Sequence, residues 1–177
     1  MKKNKISVEA ENPFKAIATF FDYAALDFYK QNLTETLIYS YKTKVYEQDN
    51  PSNVFVFYTA VCSLLKACYG LQKKSKKWKV KESLRSETVF HLTSLTEEEY
   101  DNPFMVLQKA FDEKTLEQFE SFLSEIVRLS LSPQEGDPDA DHATCYIYLI
   151  KMLDAVELIR ERGVEKIKKT HQIPVTD

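Results

Sequence analysis

The chain has 177 residues, a formal net charge of −3 and a hydrophobic content of 44 %. This composition excludes wholesale disorder, and a chain of this length can bury a sizeable core without disulfides or metals. The charge is too small to draw the whole protein onto nucleic acid or anionic lipid. Only three glycines and six prolines are present, which excludes turn-rich β-sandwiches and barrels and predicts an all-α fold of long helices.

The first predicted helix begins at an Asn-Pro-Phe triplet at residues 12–14, and the same triplet recurs at residues 102–104. Asparagine is a favoured N-cap, and proline is favoured at the first helical position because its missing N–H would be unpaired there anyway. We therefore expect Asn12 and Asn102 each to cap a helix.

The two triplets open stretches that align without a gap, residues 12–40 and 102–130, with 9 identities in 29 positions. This offset of 90 residues indicates an internal duplication. Apolar residues at helical spacing predict a short first helix in each copy. Asp22 and Asp112 stand where that helix is expected to end and a second one to begin, with the carboxylate accepting free N–H groups.

Each copy continues into a medium helix, then a proline-containing breaker, and then the most apolar helix of its copy. The long apolar helices are predicted at roughly 53–72 and 142–168. They align at a reduced offset of 88 residues, with 3 identities in 19 positions. The order and character of the helices therefore extend the duplication beyond the first alignment.

The predicted architecture is a single compact helical domain over residues 1–177, made of unit 1 (residues 12–72) and unit 2 (residues 102–168). Residues 73–101 connect the units and have no counterpart in the duplication. Because the two long helices are apolar around much of their circumference, we expect them to pack against each other about a pseudo-two-fold axis. The shorter helices are expected to cover them.

Three cysteines, Cys62, Cys68 and Cys145, lie in apolar helical runs, where a reduced thiol behaves as a small hydrophobe. An odd number of such cysteines indicates a reducing compartment, and we expect a cytoplasmic protein. No apolar run follows the N-terminal lysines, so no signal peptide is expected. The apolar stretch 54–71 is interrupted by Lys66, which predicts a buried core helix and not a membrane span.

Residues 73–81, called here the basic segment, place six lysines around the only tryptophan of the chain. Positive charge beside an aromatic ring is typical of single-strand nucleic-acid sites. The alternative is a solvated segment whose lysine stems cover apolar surface. Since the net charge is negative and no further aromatic residue is interleaved, we expect a protein partner and not nucleic acid. The candidate binding residues are Lys76, Lys77, Trp78 and Lys79.

Arg85 and His91 are separated by five residues, and the polar residue Ser86 follows the arginine. In shape this pair resembles the Arg-x(4–6)-His motif of the HEPN family, all-helical domains that include metal-independent ribonucleases. The resemblance covers this short stretch alone. It implies that His91 acts as a general base and that Arg85 steadies a phosphate. The alternative is a packed or surface histidine, which the extended character of residues 90–95 favours.

No metal site or cofactor is predicted. Glu87 and His91 are four residues apart, but the sequence contains no Glu-x-x-His motif, which a di-metal helical bundle requires. The acidic run 137–142 lacks the glycine and glutamate of a calcium loop. We therefore interpret Asp139 or Asp141 as the N-cap of the last long helix. Glycine-rich phosphate loops and Gly-x-Ser-x-Gly elbows are also absent from the sequence.

The predicted function is a non-enzymatic helical interaction or scaffold module that associates with itself or with another protein chain. One alternative is a HEPN-like ribonuclease that acts through Arg85 and His91. The other is a binder of a small apolar ligand between helices, with a pocket lined by Tyr58 or Tyr146. A protein interface would instead expose an apolar patch on the tyrosines that follow the second helix. These are Tyr39, Tyr41 and Tyr46.

Overall fold

The computed structural model describes residues 12–42, 44–46, 52–73, 75–82, 93–134, 136–137 and 141–167. Within these ranges 75 % of the residues are helical, which confirms the prediction of a helical fold. The described part of the chain contains seven α-helices and one two-stranded sheet. They are α1 (Pro13–Tyr23), α2 (Leu26–Ser40), α3 (Ser52–Gln72), β1 (Trp78–Val80), α4 (Glu97–Asp101), α5 (Phe104–Glu113), α6 (Leu116–Ser130), α7 (His142–Arg162) and β2 (Val164–Lys166).

Two of the five predicted N-caps are confirmed. Asn12 Oδ1 accepts the Phe14 N–H at 3.1 Å, with Pro13 as the first residue of α1. Asp141 Oδ1 accepts the Thr144 N–H at 3.2 Å at the start of α7. The prediction for Asn102 is wrong, because this residue ends α4 and α5 begins at Phe104.

The reason for the error at Asn102 is the acidic sequence that precedes it. Residues 97–101 form a helical turn of their own, closed at its start by a capping box between Thr96 and Glu99. The backbone therefore enters α5 from a preceding helix, and the side chain of Asn102 is not needed as a cap. Unit 1 has no described counterpart of α4, since the described chain begins at residue 12.

The junctions between first and second helices fall near the predicted positions, but the predicted caps are wrong. Asp22 and Asp112 lie inside the last turns of α1 and α5. The N-cap of α6 is Thr115, whose hydroxyl accepts the N–H of Gln118 in a second capping box. The N-cap of α2 is Ala25, whose side chain has no hydrogen-bonding group.

The last long helix ends at Arg162, six residues before the predicted end at 168. Gly163 adopts a φ of 69°, a left-handed conformation that glycine enters without steric cost, and its N–H caps the carbonyl of Ile159. The chain then forms β2, which pairs antiparallel with β1 in the register Trp78↔Lys166 and Val80↔Val164. This β1–β2 ribbon departs from the all-α prediction.

The centre of the fold is the contact between α2 and α6, which is the most extensive helix–helix contact in the described structure. α3 packs against α1, α5 and α6, whereas α7 packs against α1, α2 and α5. α3 and α7 are not among the helix pairs in extensive contact. The prediction that the two long apolar helices pack against each other is therefore wrong.

The physical reason is the kind of side chain that α2 buries. Asn32, Thr36 and Ser40 follow one another at intervals of four residues, on one face of the helix, and all three are buried. Small buried side chains let helix axes approach closely. Together with the buried Tyr29 and Leu33, these residues give α2, a helix less apolar than α3, the buried face that its central position requires.

Two reciprocal backbone hydrogen bonds tie the ends of α2 and α6 together. The N–H of Gly136, in the loop after α6, donates to the carbonyl of Ser40 at 2.9 Å. The N–H of Tyr46, in the loop after α2, donates to the carbonyl of Ser130 at 2.8 Å. Each helix end is therefore closed by the loop that follows the other helix, which satisfies carbonyl groups that a helix leaves unpaired.

Among the described residues, two lysine–carboxylate ion pairs connect the medium helices to the long helices. Lys30 on α2 lies 2.5 Å from Asp154 on α7, and the Asp154 side chain is 1 % exposed. The N–H and hydroxyl of Ser94 also donate to Asp154, at 2.8 and 2.7 Å. Lys66 on α3 lies 3.5 Å from Glu120 on α6, with side chains that are 66 % and 34 % exposed.

The long helix α3 is apolar enough, by length and composition, to cross a membrane. Its most apolar window has a mean hydropathy of 1.7, and 44 % of that window is buried within the described fold. The buried residues face α1, α2, α5 and α6. That α3 is a core helix and not a span stays a prediction.

Lys30→Met should lower the free energy of unfolding by about 2–3 kcal/mol, because the Asp154 carboxylate would stay buried without its cation. Lys66→Met is the matched control, since the same change in an exposed pair should cost at most about 0.5 kcal/mol. Urea denaturation followed by circular dichroism measures both values. Equal losses in the two variants would show that burial does not distinguish the pairs.

Candidate functional site

The four predicted binding residues of the basic segment are split between a 3₁₀ turn and the β1–β2 ribbon. Lys76 and Lys77 lie in the turn and are exposed. The Trp78 ring is half-buried and packs edge-on against Phe14 at 5.2 Å. Lys79 forms an ion pair with Glu165 on β2 at 3.0 Å. Trp78 and Lys79 therefore have partners within the protein, and Lys76, Lys77 and Lys79 are the exposed residues of this candidate site.

The alternative ribonuclease residues, Arg85 and His91, lie outside the described residues, as do Ser86 and Glu87. The resemblance to the HEPN motif thus stays a prediction.

The tyrosines that were expected to mark a ligand pocket make polar contacts between units. The Tyr146 hydroxyl lies 2.9 Å from Thr34 Oγ1, and the Tyr58 hydroxyl is a hydrogen-bond partner of Ser124. Neither tyrosine lines the two cavities described below. These cavities therefore do not correspond to the predicted apolar ligand pocket.

The tyrosines expected to form an exposed patch do not act as one surface. Tyr46 is buried, stacks on Tyr39 at 4.6 Å and donates its hydroxyl to Glu35. Tyr41 is the most exposed of the three, and its hydroxyl lies 2.7 Å from Nδ1 of His142. The rings are thus engaged by neighbouring side chains.

Tyr41, His142 and Glu125 form a line of hydrogen bonds that no sequence pattern predicted. His142 Nε2 lies 3.4 Å from Glu125 Oε2, so the imidazole bridges the hydroxyl and the carboxylate. Burial raises the pKa of Tyr41, and the negative charges of Glu125 and Asp137 raise it further. The hydroxyl is therefore protonated at neutral pH, and the arrangement joins the start of α7 to the end of α2 without activating a nucleophile.

An apolar cavity of about 300 Å³ lies between α1 and α3, and we call it the α1–α3 groove. Its walls are small side chains, and its floor is aromatic and aliphatic. Tyr23 stands at its edge with 60 % of its surface exposed. The lining residues are Ala16, Thr19, Phe20, Tyr23, Tyr29, Ala60, Ser63 and Leu64.

The floor of the α1–α3 groove is rigidly held. The Tyr29 hydroxyl donates to the carbonyl of Phe20 at 2.6 Å, and the two rings stack at 3.8 Å. Burial, reinforced by neighbouring Tyr23, raises the pKa of Tyr29 to about 12. The hydroxyl therefore stays neutral at physiological pH, and the groove floor carries no charge.

A second cavity, of about 500 Å³, lies between α5 and α7, and we call it the α5–α7 cavity. Its character is ionic, and its centre is Glu99, which is 4 % exposed. Lys151 and Lys109 donate to this carboxylate at 2.7 and 3.3 Å, and the Thr96 N–H donates at 3.1 Å. The lining residues are Glu99, Lys109, Glu113, Thr144, Ile147, Tyr148 and Lys151.

The charge of Glu99 is set by opposing effects. Burial raises its pKa, but the hydrogen bonds from Lys151, the Thr96 amide and Lys109 together outweigh burial and leave the pKa lowered. The carboxylate is thus ionised at neutral pH and neutralises a lysine of the cavity. The charged side chains of the α5–α7 cavity are therefore paired with each other.

Glu99→Gln should remove an acid-sensitive part of the stability. Because the folded-state pKa is lowered, Glu99 stabilises the fold above the ordinary value of 4.5, and this contribution is lost as the pH falls through the folded-state pKa. The difference in unfolding free energy between parent and variant should be largest above pH 4.5 and shrink below it. Urea denaturation across this pH range measures it. Glu98→Gln, an exposed change on the same helix, should show no such trend.

The cysteines offer no activated thiol. Burial raises the pKa of the Cys68 thiol to about 12 and also raises the pKa values of Cys62 and Cys145. All three are free. Among the described residues, no group of three or more His, Cys, Asp or Glu side chains is placed to hold a metal ion.

In the native protein, only Cys62 should react measurably with a chromogenic disulfide reagent, because it is half-buried whereas Cys68 and Cys145 are buried. Its rate should rise with pH, as expected for a thiol of raised pKa. Cys62→Ser should abolish the native-state signal, and Cys68→Ser should leave it unchanged. Rapid labelling of Cys68 without denaturant would contradict the packing of α3.

Comparisons of the chain with protein-family models, with curated proteins and with solved structures found no match. The geometry of the described residues is therefore the basis for assigning a site. On that basis the α1–α3 groove is the best candidate, because it is apolar, open and edged by an exposed aromatic side chain.

The sequence predictions do not include the residues of this groove. A signal was present: Ala16 and Thr19 on α1, and Ala60 and Ser63 on α3, are pairs of small residues at helical spacing within apolar runs. Two such pairs leave a channel only if the two helices pack side by side. That pairing could not be read from a single sequence.

Proposed function

We propose that this chain is a non-enzymatic helical interaction module, made of two duplicated three-helix units, that self-associates through the α1–α3 groove. The observation that carries the proposal is the difference between the grooves of the two units. The groove of unit 1 is lined by apolar and small side chains, whereas the larger cavity at the equivalent place in unit 2 is lined by paired charges. The free cysteines support a cytoplasmic location.

The duplication is supported by the lengths and ends of the helices. The helices of unit 1 have 11, 15 and 21 residues, and those of unit 2 have 10, 15 and 21. The two reciprocal backbone hydrogen bonds obey the offset of 90 residues at both ends. Tyr46 corresponds to Gly136 as donor, and Ser40 corresponds to Ser130 as acceptor.

Ring packing inside the units supports the same correspondence. Phe21 and Tyr29 meet edge-on at 6.4 Å and 89°. Phe111 and Phe119, each 90 residues later, meet edge-on at 5.8 Å and 83°. A first helix therefore packs on a second helix through the same pair of positions in both units.

The two grooves occupy corresponding places in the two units. At the offset of 90, Thr19 and Tyr23 on α1 correspond to Lys109 and Glu113 on α5. At the offset of 88, the small residues of α3 correspond to large ones of α7. They are Ala60 with Tyr148 and Ser63 with Lys151. The lining is thus small and largely apolar in unit 1 and charged in unit 2.

The shape of the α1–α3 groove favours a second copy of the chain as its occupant. Tyr23 projects from the edge of a cavity lined by small side chains, so knob and hole lie on the same patch. Such a patch allows two copies to dock on each other about a two-fold axis, which is the arrangement of most homodimers. Tyrosine is also a favoured anchor residue at interfaces. The small net charge of −3 opposes dimer formation only weakly.

Sedimentation velocity over a range of concentrations tests this proposal. The parent chain should show a reversible monomer–dimer equilibrium. Ala60→Tyr combined with Ser63→Lys gives unit 1 the side chains that unit 2 carries, and should weaken the dimer at least about tenfold because a large ring and a charge replace the small groove lining.

Tyr23→Ala should weaken the dimer to a similar extent because the knob is lost. Phe55→Ala is the control, since Phe55 is also an exposed aromatic residue of unit 1 but does not line the groove. A parent chain that stays monomeric at every concentration would refute self-association. A dimer that tolerates the groove variants would place the interface elsewhere.

A further inference from the structure

Among the described residues, the two lysine–carboxylate pairs that join the units have the same polarity. Lys30 at the offset of 90 corresponds to Glu120, and Lys66 at the offset of 88 corresponds to Asp154. The two ion pairs, Lys30–Asp154 and Lys66–Glu120, are therefore equivalent contacts related by the pseudo-two-fold axis. In each, a medium helix meets the long helix of the other unit, and unit 1 supplies the lysine both times.

Several neutral contacts of the same interface occur in equivalent pairs and are not sorted in this way, although the contact of Tyr41 with His142 has no counterpart, since Leu131 and Val54 stand at the corresponding positions. Thr34 on α2 meets Tyr146 on α7, and Ser124 on α6 meets Tyr58 on α3. Both are a hydroxyl residue against a tyrosine, at corresponding positions. The reciprocal backbone bonds at the ends of α2 and α6 are likewise equivalent. These contacts would form equally well between any two units.

From this contrast we propose that the two ion pairs specify the partner of each unit: unit 1 pairs with unit 2 and is barred from pairing with another unit 1. Two copies of unit 1 docked in the same way would set Lys30 against Lys66 twice. Two copies of unit 2 would set Glu120 against Asp154 twice. Like charges brought together at an interface suppress the wrong partner even where the neutral contacts fit.

Burial makes this discrimination strong at one of the two positions. The Asp154 side chain is 1 % exposed and receives both Lys30 and Ser94. A carboxylate in place of that lysine would be held beside a buried charge with little water to screen it. The exposed pair, Lys66 with Glu120, adds to the preference but is screened by solvent.

This inference rests on the duplication in the proposed function but not on the α1–α3 groove. It identifies the partner surface of unit 1 as a unit 2, either in the same chain or in a second copy that exchanges units. The groove is a separate surface, so the two can be tested apart.

The experiment uses two full-length variants, both carrying Ala60→Tyr and Ser63→Lys so that the groove cannot contribute. The first variant adds Lys30→Glu and Lys66→Glu, which makes both units acidic at the interface. The second adds Glu120→Lys and Asp154→Lys, which makes both units basic. Native mass spectrometry is recorded for each alone and for the equimolar mixture.

In each variant alone, the two units of one chain carry the same charge at their interface. They should therefore pair weakly with each other, and the variant should lose thermal stability. The mixture should form a one-to-one heterodimer in which each unit 1 faces a unit 2 of opposite charge from the other chain. A chain with all four reversals should return to the monomer and recover stability, since its units are complementary again. Variants that remain stable monomers and form no heterodimer would overturn the proposal.

A comparison at one site covers the case in which lysine at position 154 prevents folding. Lys30→Glu should reduce the folding equilibrium constant at least about tenfold more than Lys30→Met, because it adds repulsion from Asp154 to the loss of attraction. Equal effects of Lys30→Glu and Lys30→Met would overturn the proposal, since the charge at position 30 would then have no discriminating role.

Discussion

The close contact between α2 and α6 is the constraint on which the rest of the structure depends. Thr36, Ser40 and Ser130 are completely buried there, and the carbonyls of both serines would be left without partners if the helices ended alone. The amides of Gly136 and Tyr46 satisfy them only when each loop crosses to the opposite helix. This crossing fixes where α3 and α7 can start, and so places the long helices on the outer sides of the central pair.

Much of the helical layout could be predicted because local physical chemistry determines it. Asn12 and Asp141 cap their helices by accepting N–H groups two and three residues further along the chain. In the sequence, a proline-containing breaker separates the second helix of each unit from the third. The central pair α2 and α6 could not be predicted, because hydrophobic patterning favours the longer helices α3 and α7 at the centre of the fold. What α2 brings to the centre is a face that buries the small Thr36 and Ser40 together with the large Tyr29 and Leu33, a property that matters only once its neighbour is known.

The candidate site shows the same limit. Alanine and serine in an apolar helix predict nothing by themselves, yet Ala60 and Ser63 form a groove because α1 lies beside α3 with small residues of its own. In unit 2 the corresponding residues, Tyr148 and Lys151, take part in an ionic cavity around Glu99. One architecture therefore carries a hydrophobic surface in one unit and a charged, internally paired structure in the other.

The β1–β2 ribbon has a consequence for the order in which the chain folds. It pairs Trp78 with Lys166, residues about half the chain apart, whereas the helices form from local contacts. Closing so long a loop is slow unless the helices have already brought its ends together. The β1–β2 ribbon should therefore form last. Trp78, the only tryptophan of the chain, lies in this ribbon. Its fluorescence would then follow the final step of folding, while circular dichroism follows the helices that precede it.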